Sequence, residues 1–458
     1  MAREKKEAVL TPEERLQAAL VPDWEWPYIL PENWCWVKAS GVARIYTGNS
    51  ISEKIKADKY AGQQEGLLFI ATKDIGFDNA INYETDIRIP DYPNFKIAPA
   101  NTALLCIEGG SAGRKVGFVN REVCFGNKLC AFAAEKVNSK FIYYILQSQY
   151  FIQQFNNRKH GLIGGVSVND LAEIGFPLSP LAEQQRIVDR IESLFAKLDE
   201  AREKAQAVVD SFETHKAAIL HKAFTGELTA KWRRTHGVSL DTWKEVAADS
   251  LFEYVTSGSR GWAKYYDESG AVFIRMGNLD HGTIELDFSD IQHVKLPNKA
   301  EGQRSRIRKN DILISITADV GMVGLVRNDD FEGYINQHIA LARPVMSESA
   351  EFIAWYLVSD IGLKQMQEKQ RGATKVGLSL NDIRALQLKI PLIEEQNEIL
   401  KVIKMWIGKE QQSQEAAEAV LDQIDLMKKS ILARAFRGEL GTNDPSEESA
   451  VELLKQLI

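Results

Sequence analysis

The chain has 458 residues, of which 45% are hydrophobic, and 56 Lys and Arg against 63 Asp and Glu give it a formal net charge of −7. Such a composition supports buried cores, and the absence of any run of 18 apolar residues argues against a membrane span. The charged N-terminus contains no apolar signal sequence, and Cys35, Cys106, Cys124 and Cys130 form no Cys-x-x-Cys pair. We therefore expect free thiols, no metal site and a cytoplasmic location.

The first elements in chain order are a short extension and a β-rich region. Residues 1–29 contain "LTPEERLQAAL", in which Thr11 precedes an amphipathic run and predicts a capped helix. Residues 30–178 and 231–390 share short β-rich runs, such as "TALLCI" and "DILISI", separated by Gly, Asn, Asp and Ser turns. Each region then has a helical stretch and a glycine-rich loop. The pattern predicts two α+β domains.

Residues 179–230 and 391–441 each predict a long helix with mostly apolar residues at alternating steps of four and three. The first series is Ile187, Ile191, Leu194, Leu198, Ala201, Ala205, Val208, Phe212, His215 and Ile219. The second is Ile399, Ile403, Trp406, Glu410, Ser413, Ala417, Val420, Ile424, Met427 and Ile431. This heptad spacing favours an antiparallel intramolecular coiled coil, and packing of each helix on its own domain is the alternative. Residues 442–458 predict a tail helix.

The two halves of the chain repeat each other. "ILHKAFTGEL" at 219–228 returns 212 positions later as "ILARAFRGEL", and "SVNDL" at 167–171 returns at the same distance as "SLNDI". "PLAEQQRIV", which starts at Pro180, returns as "PLIEEQNEI" after 211 positions, so the copies differ there by one residue. A period above 200 is too long for a solenoid repeat. The sequence therefore indicates a duplicated unit, a globular domain followed by a helix, with pseudo-twofold symmetry.

Positive charge is concentrated in the loops of the two domains. Residues 30–175 carry 16 Lys and Arg against 14 Asp and Glu, and residues 231–390 carry 21 of each, so the helices and tails hold the acidic excess. Cations beside glycine and aromatic residues suit contacts to phosphates and base edges, although any single cluster is as well explained by a solvated loop. The predicted DNA-contacting residues are Asn49, Ser50, Lys54, Lys56, Lys73, Arg114, Lys115, Arg158, Lys159, His160, Ser259, Arg260, Trp262, Lys264, Tyr265, Arg275, Asn278, Arg371, Thr374 and Lys375.

Motifs of catalysis are missing. The sequence contains no Gly-x-x-x-x-Gly-Lys-Ser/Thr loop, no Gly-x-Ser-x-Gly elbow, no His-Glu-x-x-His pair and no Pro-Pro dipeptide of the kind found in amino-methyltransferase sites. We therefore predict a recognition protein without catalytic residues. The alternatives are a diverged, fused DNA methyltransferase or nuclease, and a scaffold whose domains bind protein.

The repeated motifs resemble those of the specificity subunit of type I restriction–modification systems. The resemblance lies in "LPENWCWV" at 30–37, in the Pro-Leu-x-Glu-x-Gln helix start and in the Ala-Phe-x-Gly-Glu-Leu helix end, the last two each present twice. It implies that each domain is a target recognition domain for one half of a bipartite, asymmetric double-stranded DNA sequence. The helices would then set the gap between the halves and dock two adenine N6-methyltransferase subunits, directing methylation or ATP-dependent cleavage.

The resemblance also implies the division of cofactors and partners in a prokaryotic cytoplasm. This chain would bind no cofactor, the methyltransferase partner would bind S-adenosylmethionine, and the restriction and translocation partner would bind ATP and Mg²⁺. Methyltransferase docking is expected at the repeated helix ends. The predicted docking residues are Pro180, Glu183, Gln185, Phe224, Gly226, Glu227, Pro391, Glu394, Gln396, Phe436, Gly438 and Glu439.

Overall fold

The computed structural model describes residues 11–134, 136–160, 164–258, 260–296, 302–328, 330–371 and 377–458. Contacts divide the chain into two compact units. Unit 1 combines Met1–Glu203 with Val420–Ile458, and unit 2 is Lys204–Ala419. Each unit therefore contains one β-rich domain and parts of both long helices. Across the described residues, no helix is long and apolar enough to cross a membrane.

Twelve helices and twenty strands make up the described regular structure. The helices are α1 (Pro12–Ala19), α2 (Glu53–Ile55), α3 (Ser139–Ile145), α4 (Gln149–Asn157), α5 (Val168–Ala172), α6 (Leu181–Phe224), α7 (Ala230–His236), α8 (Ala350–Val358), α9 (Asp360–Lys369), α10 (Leu380–Arg384), α11 (Ile393–Ala435) and α12 (Ala450–Leu457). The strands of unit 1 are β1 (Cys35–Lys38), β2 (Arg44–Thr47), β3 (Leu67–Ile70), β4 (Arg88–Ile89), β5 (Ile97–Ala98), β6 (Thr102–Cys106), β7 (Val116–Val119), β8 (Val123–Phe125), β9 (Leu129–Ala133) and β10 (Gly175–Leu178). Those of unit 2 are β11 (Lys244–Ala247), β12 (Phe252–Ser257), β13 (Tyr266–Asp267), β14 (Ala271–Ile274), β15 (Gln292–Val294), β16 (Ile312–Ser315), β17 (Val323–Leu325), β18 (Gly333–Ile335), β19 (Ile339–Pro344) and β20 (Gln387–Ile390).

The two β-rich domains have matching sheets. The first contains four-stranded sheets in the orders β2-β9-β6-β7 and β4-β3-β8-β5, and the second contains β12-β19-β16-β17 and β13-β15-β14-β18. In each domain one parallel pair, β3 with β8 or β14 with β18, lies among antiparallel pairs. A two-stranded antiparallel ribbon, β1 with β10 or β11 with β20, joins the start of the domain to its end. The prediction of two similar α+β domains is confirmed.

The N-terminal extension and the tail belong to unit 1. Thr11 caps α1 through a capping box, in which its hydroxyl accepts the Glu14 amide and its own amide donates to the Glu14 carboxylate. The Val21 amide donates to the carbonyl oxygen of Trp36, which attaches the extension to β1. At the other end of the chain, the Ala450 amide at the start of α12 donates to the carbonyl oxygen of Asn33.

All four cysteines are free and buried, as the spacing predicted. Burial raises the pKa of the Cys35 thiol to about 12 and that of the Cys130 thiol also to about 12. Both thiols therefore remain protonated at neutral pH and pack as small apolar side chains.

The long helices run antiparallel to each other. Within unit 1, Asp199 of α6 pairs with Lys428 of α11, and one helical turn further along α6 Arg202 pairs with Asp425. The residue number rises on one helix while it falls on the other, which defines the direction of the pair. Within unit 2, His215 Nδ1 of α6 likewise lies 3.0 Å from a carboxylate oxygen of Glu410 on α11. The predicted antiparallel pairing is confirmed.

Burial follows the predicted heptad seam only in part, although Ala205 and Ala417 are buried at seam positions near the middle of the helices. Its first positions are fully buried on both helices, as Ile187 and Ile399 show. Further along, the exposed seam positions are Val208, His215, Trp406, Ser413, Val420 and Met427. A seven-residue repeat drifts by about 20° per heptad around a straight α-helix, so a fixed seam cannot stay against its partner. Lys216 and Leu220, which lie outside the predicted seam, are buried instead.

A buried carboxylate anchors the start of α6. Glu183 has no exposed surface, and its carboxylate accepts a hydrogen bond from the indole nitrogen of Trp34 at 2.7 Å. It also accepts hydrogen bonds from Asn443 Nδ2 at 2.9 Å and from the Thr442 hydroxyl at 3.3 Å. A carboxylate removed from water must be compensated by such donors. The site joins α6 to the beginning of the domain and to the segment that follows α11.

The corresponding anchor of α11 is Glu395, which is also fully buried. Its carboxylate accepts hydrogen bonds from Trp243 Nε1 at 2.9 Å, from the Thr229 hydroxyl at 2.7 Å and from Arg233 at 2.5 Å. The helices begin at Leu181 and Ile393, which are 212 residues apart, so the one-residue difference between the copies lies before the helix. Glu183 is therefore equivalent to Glu395 rather than to its exposed neighbour Glu394, which corrects the sequence alignment.

We predict that Glu395→Ala destabilises unit 2 by about 3–5 kcal/mol, because it leaves the buried Arg233 guanidinium without its carboxylate. Urea unfolding followed by circular dichroism measures the change. Glu394→Ala is the matched control, since this side chain is exposed one residue away and its loss should change stability by less than about 0.5 kcal/mol. Equal effects of the two substitutions would contradict the anchoring role.

Candidate nucleic-acid interface

Five loops meet at one end of the sheets in the first domain, and we call this end the loop edge. They are the loops after β2, after β3, between β6 and β7, between β8 and β9, and after α4. Gly48 lies so close to the β8–β9 turn that a Cβ atom there would be 2.0 Å from the Phe125 carbonyl oxygen. The Ile107 amide donates to the Lys128 carbonyl at 3.0 Å, and the Val166 amide donates to the Ile107 carbonyl at 3.1 Å. Backbone contacts thus fix the loops against one another.

The second domain builds the same loop edge with the same backbone contacts. A Cβ atom at Gly258 would lie 2.1 Å from the Ile335 carbonyl oxygen. The Ile316 amide donates to the His338 carbonyl at 2.9 Å, and the Leu378 amide donates to the Ile316 carbonyl at 2.8 Å. The backbone arrangement of the loop edge is therefore the same in both domains, even where the side chains differ.

The bases of the two glycine-rich loops carry equivalent ion pairs. His160 Nε2 lies 3.8 Å from Asp170, and the guanidinium of Arg371 lies 3.3 Å from Asp382. The hydrogen bond from Ser167 lowers the pKa of Asp170, and the hydrogen bond from Ser379 lowers that of Asp382, with the nearby cations acting in the same direction. His160, rather than Arg158, is thus the counterpart of Arg371.

Several predicted DNA contacts of the first domain come together at the loop edge. The side chains of Lys56 and Lys73 line one small cleft. Arg114 and Lys115 both lie over the ring of Phe77, at 4.9 Å and 4.7 Å from its centroid. Phe77 is 62% exposed, and cations over an exposed ring form a surface suited to a base and its phosphate. Sequence reasoning missed Phe77, whose signal is an aromatic residue directly after "ATKDIG", the loop that contains Lys73.

Gly113 allows the β6–β7 loop to pack closely against α4. It has a φ of +75°, and a Cβ atom there would lie 2.5 Å from the ring of Phe155, so only glycine fits. The Lys159 ammonium lies 5.5 Å from the centroid of the same ring. Arg158 donates instead to Gln154 of its own helix, at 2.7 Å.

The other predicted residues of the first domain surround its first loop. Asn49 Oδ1 accepts the Lys96 amide at 2.8 Å, so its side chain stabilises the loop, whereas Ser50 and Lys54 are exposed. Lys56 pairs with Glu53 on the same helical turn.

Two predicted DNA contacts of the second domain are packing residues in the structure. Trp262 is 6% exposed and stacks on Phe273 with a centroid distance of 5.5 Å. Asn278 is 3% exposed, and its Nδ2 donates to the carbonyl oxygens of Asp287 and Asp290 at 2.8 Å and 2.9 Å. This burial leaves neither side chain free to reach a base edge, so sequence reasoning misjudged their surroundings.

The remaining predicted residues of the second domain that the structure describes are at least partly exposed. Arg260 and Lys264 are exposed, and the Lys264 ammonium lies 4.9 Å from the centroid of the Tyr265 ring. The guanidinium of Arg275 pairs with Asp290 at 3.0 Å. Ser259, Thr374 and Lys375 lie outside the described residues.

The predicted docking residues divide by burial. Those buried within their own unit are Pro180, Glu183, Phe224, Gly226, Pro391, Gln396 and Phe436. Phe224 packs on Phe352 and Phe436 packs on Phe141, with centroid distances of 5.3 Å and 5.4 Å, so the repeated Ala-Phe-x-Gly-Glu-Leu motif is explained by internal packing. The exposed members are Gln185, Glu227, Glu394 and Glu439, and Gly438 is partly exposed.

The β8–β9 and β18–β19 turns also belong to the loop edge and were missed from the sequence. They carry Asn127 and Lys128 in the first domain and Gln337 and His338 in the second. Their signal is the polar turn in "FGNKL" and "INQHI", which occupies the same place in both copies. Within the described parts of the chain, no cluster of His, Cys, Asp or Glu could hold a metal ion.

Comparisons with known proteins agree with this architecture. The type I restriction modification DNA specificity domain matches residues 31–208 and again 241–418. The chain belongs to this family. The EcoBI specificity subunit of Escherichia coli is 25% identical over 435 residues, which cover 89% of this chain and 86% of that protein.

Two solved structures share the fold. A chain of a type I R-M system, solved to explain complex assembly and conformational transition, gives a TM-score of 0.70 at 18% identity and covers 90% of this chain and 100% of its own. The HsdS subunit from Thermoanaerobacter tengcongensis gives 0.58 at 18% identity, with 91% and 100% covered. Specificity subunits are the non-catalytic members of type I restriction enzymes, so this chain recognises DNA sequence and does not itself catalyse a reaction.

We predict that Arg114→Ala weakens binding to all DNA sequences alike and reduces the salt dependence of binding by about one unit, as expected for the loss of one cation that contacts a phosphate. Fluorescence anisotropy at several salt concentrations measures both quantities. Arg121→Ala is the matched control, since Arg121 also lies over an aromatic ring, 4.6 Å from the centroid of Tyr83, but in the β7–β8 turn at the other end of the sheet. An identical response of the two variants would sink this assignment.

Proposed function

We propose that each target recognition domain reads one half of a bipartite, asymmetric double-stranded DNA sequence through its loop edge. The observation that carries this proposal is the repetition of one backbone frame with different side chains. At equivalent positions the first domain presents Lys128 beside Glu108, and the second presents His338 beside Thr317. Because the backbone of the loop edge is the same in both domains, both can approach the DNA groove in the same way. Because the side chains differ, each domain would recognise different bases.

The paired helices would set the gap between the two half-sites. α6 and α11 are continuous helices of 44 and 43 residues, and an α-helix has a fixed rise of about 1.5 Å per residue. A spacer of fixed length makes recognition depend on both half-sites and on their separation. The discrimination of the two domains then adds, at about 1–3 kcal/mol for each base pair.

The helix surfaces would also dock two adenine N6-methyltransferase subunits, and the complex would direct methylation or ATP-dependent cleavage by a restriction subunit. Exposed polar residues at the helix ends support docking, as do large apolar side chains left in solvent. The exposed apolar residues on the helices include Leu181, Leu392, Met405, Trp406, Leu426 and Met427. The methyltransferase would bind S-adenosylmethionine, and the restriction subunit would bind ATP and Mg²⁺. This chain would bind no cofactor, and the complex would work in a prokaryotic cytoplasm.

The proposal that each domain reads its own half-site is tested by replacing residues 30–175 with the corresponding domain of another specificity subunit. Only one half of the methylated motif should change, because the second loop edge is untouched. Sequencing of methylated bases in cells that also express the methyltransferase partner gives the motif. A swap that altered both halves would overturn the proposal that each domain reads its own half-site.

The spacer is tested by lengthening both helices at their middle, after the buried Ala205 and Ala417. Insertion of four residues in each adds about 6 Å, so the gap should lengthen by at most about two base pairs while both half-sites persist. Insertion of seven residues keeps the apolar faces closer to their original phase and should be better tolerated. An active variant with an unchanged gap would show that the helices do not set the distance.

A further inference from the structure

The β18–β19 turn, residues 336–338, lies among the loops of the second loop edge. The loop after β12 lies directly against it, since a Cβ atom at Gly258 would be 2.3 Å from the Asn336 carbonyl oxygen. On the other side, Thr317 contacts this turn through His338 and forms a β-bridge with Gly377 after the glycine-rich loop. Side chains of this turn therefore lie between the two segments whose cations were predicted to contact DNA.

A chain of hydrogen bonds fixes the orientation of the side chains in this turn. Gln337 Nε2 lies 3.0 Å from His338 Nε2, and His338 Nδ1 lies 2.6 Å from the Thr317 hydroxyl oxygen. An amide nitrogen can only donate, so Nε2 of the imidazole accepts. The neutral ring then carries its proton on Nδ1 and donates it to Thr317. Each member of the chain holds the next in one orientation.

This arrangement leaves one edge of the Gln337 amide available. Among the described residues, its Oε1 atom accepts no hydrogen bond, and the donation to His338 uses one of its two N–H groups. The side chain of Asn336 stabilises the turn itself, because its Oδ1 accepts a hydrogen bond from the His338 backbone amide at 3.0 Å. An acceptor beside a donor on one planar group matches the major-groove edge of adenine, which offers N6–H and N7.

We propose that Gln337 reads an adenine in the second half-site, and that His338 and Thr317 are positioning residues that hold its amide. The inference rests on the proposed function, in which the loop edge enters the groove. Holding the amide before binding removes part of the entropy lost when a glutamine side chain is ordered on DNA. The hydrogen-bond chain thus converts a flexible residue into an oriented reader.

The first domain shows that this turn is a place where the two copies differ in chemistry. The equivalent residues are Asn127 and Lys128, and Lys128 Nζ lies 3.7 Å from the Glu108 carboxylate. The backbone is shared, because the Ile107 amide binds the Lys128 carbonyl as the Ile316 amide binds the His338 carbonyl. An ammonium group cannot accept a hydrogen bond from an amide. The glutamine reader is accordingly a feature of the second domain alone.

The experiment is to sequence methylated bases in cells that express the full chain, or a variant, with its methyltransferase partner. With Gln337→Ala we expect the preference for adenine to fall by about 5- to 150-fold at one position of the second half-site, with the first half-site unchanged. Gln337→Glu keeps the size of the side chain but cannot donate to N7, so the same preference should be lost. Gln303→Ala is the control, because this exposed glutamine precedes β16, at the other end of the sheet from the loop edge.

The positioning role is tested by two substitutions of His338. His338→Gln restores an acceptor for the Gln337 amide and should retain the adenine preference, whereas His338→Ala should lose it while affinity for unrelated DNA stays the same. Competition binding to duplexes that differ at the one base pair measures the preference.

The outcomes separate the inference from the function on which it rests. An unchanged motif in both Gln337 variants, a change in the first half-site, or an equal change with Gln303→Ala would each overturn the reading role of Gln337. Loss of preference in both His338 variants would overturn the hydrogen-bond chain. A wild-type chain that directs methylation to a motif without two separate halves would instead overturn the proposed function.

Discussion

Each unit depends on a carboxylate buried near the start of a long helix. Glu183 and Glu395 are completely removed from water, and each accepts a hydrogen bond from the indole of the tryptophan that opens its domain, Trp34 or Trp243. Further donors come from the segment that follows the other helix, including Arg233 in unit 2. A buried carboxylate without hydrogen-bond donors would destabilise the folded state, so the start of the domain, the start of its helix and the segment after the opposing helix must meet at this carboxylate. The domain, its own helix and the end of the opposing helix are thereby held in one unit.

Patterns that are local in the sequence predicted the architecture well. The alternation of β-rich runs with turns and the long amphipathic helices depend on residues close to one another in the chain, the 212-residue repeat is visible by comparing the sequence with itself, and the structure contains the corresponding elements. Features that depend on distant partners were not accessible in this way. The burial of Glu183 requires Asn443, and the equivalence of Glu183 with Glu395 becomes visible only when their tryptophan partners are known. The same holds for the last third of α6, where Lys216 is buried although it lies outside the apolar seam.

The candidate interface was predictable in composition but not in geometry. Cationic, glycine-rich loops could be found in the sequence, because glycine and charge are properties of the loop itself, and in the structure they lie at one end of each domain. Whether a given side chain faces solvent is decided by neighbours elsewhere in the fold. Trp262 resembled a base reader in its loop but packs on Phe273, and Phe77, overlooked in the sequence, is exposed beneath two cations. Gln337 became a candidate only when its contact with His338 showed that its amide is held in place.

The two loop edges carry different side chains on an equivalent backbone. In the first domain Arg114 and Lys115 of the β6–β7 loop lie around Phe77, which follows β3. In the second domain the loop after β14 presents His281, whose Nε2 lies 2.8 Å from Asp319. Exposed cations release counterions from DNA and give affinity that depends on salt but hardly on sequence. A histidine paired with an aspartate contributes little of that affinity. Under the proposed function, the first loop edge would contact the phosphate backbone through this cluster, whereas the second would do so through cations in other loops, Arg260, Lys264 and Arg371. On the same proposal, two copies of one backbone could thus make different contacts with DNA without a change of fold.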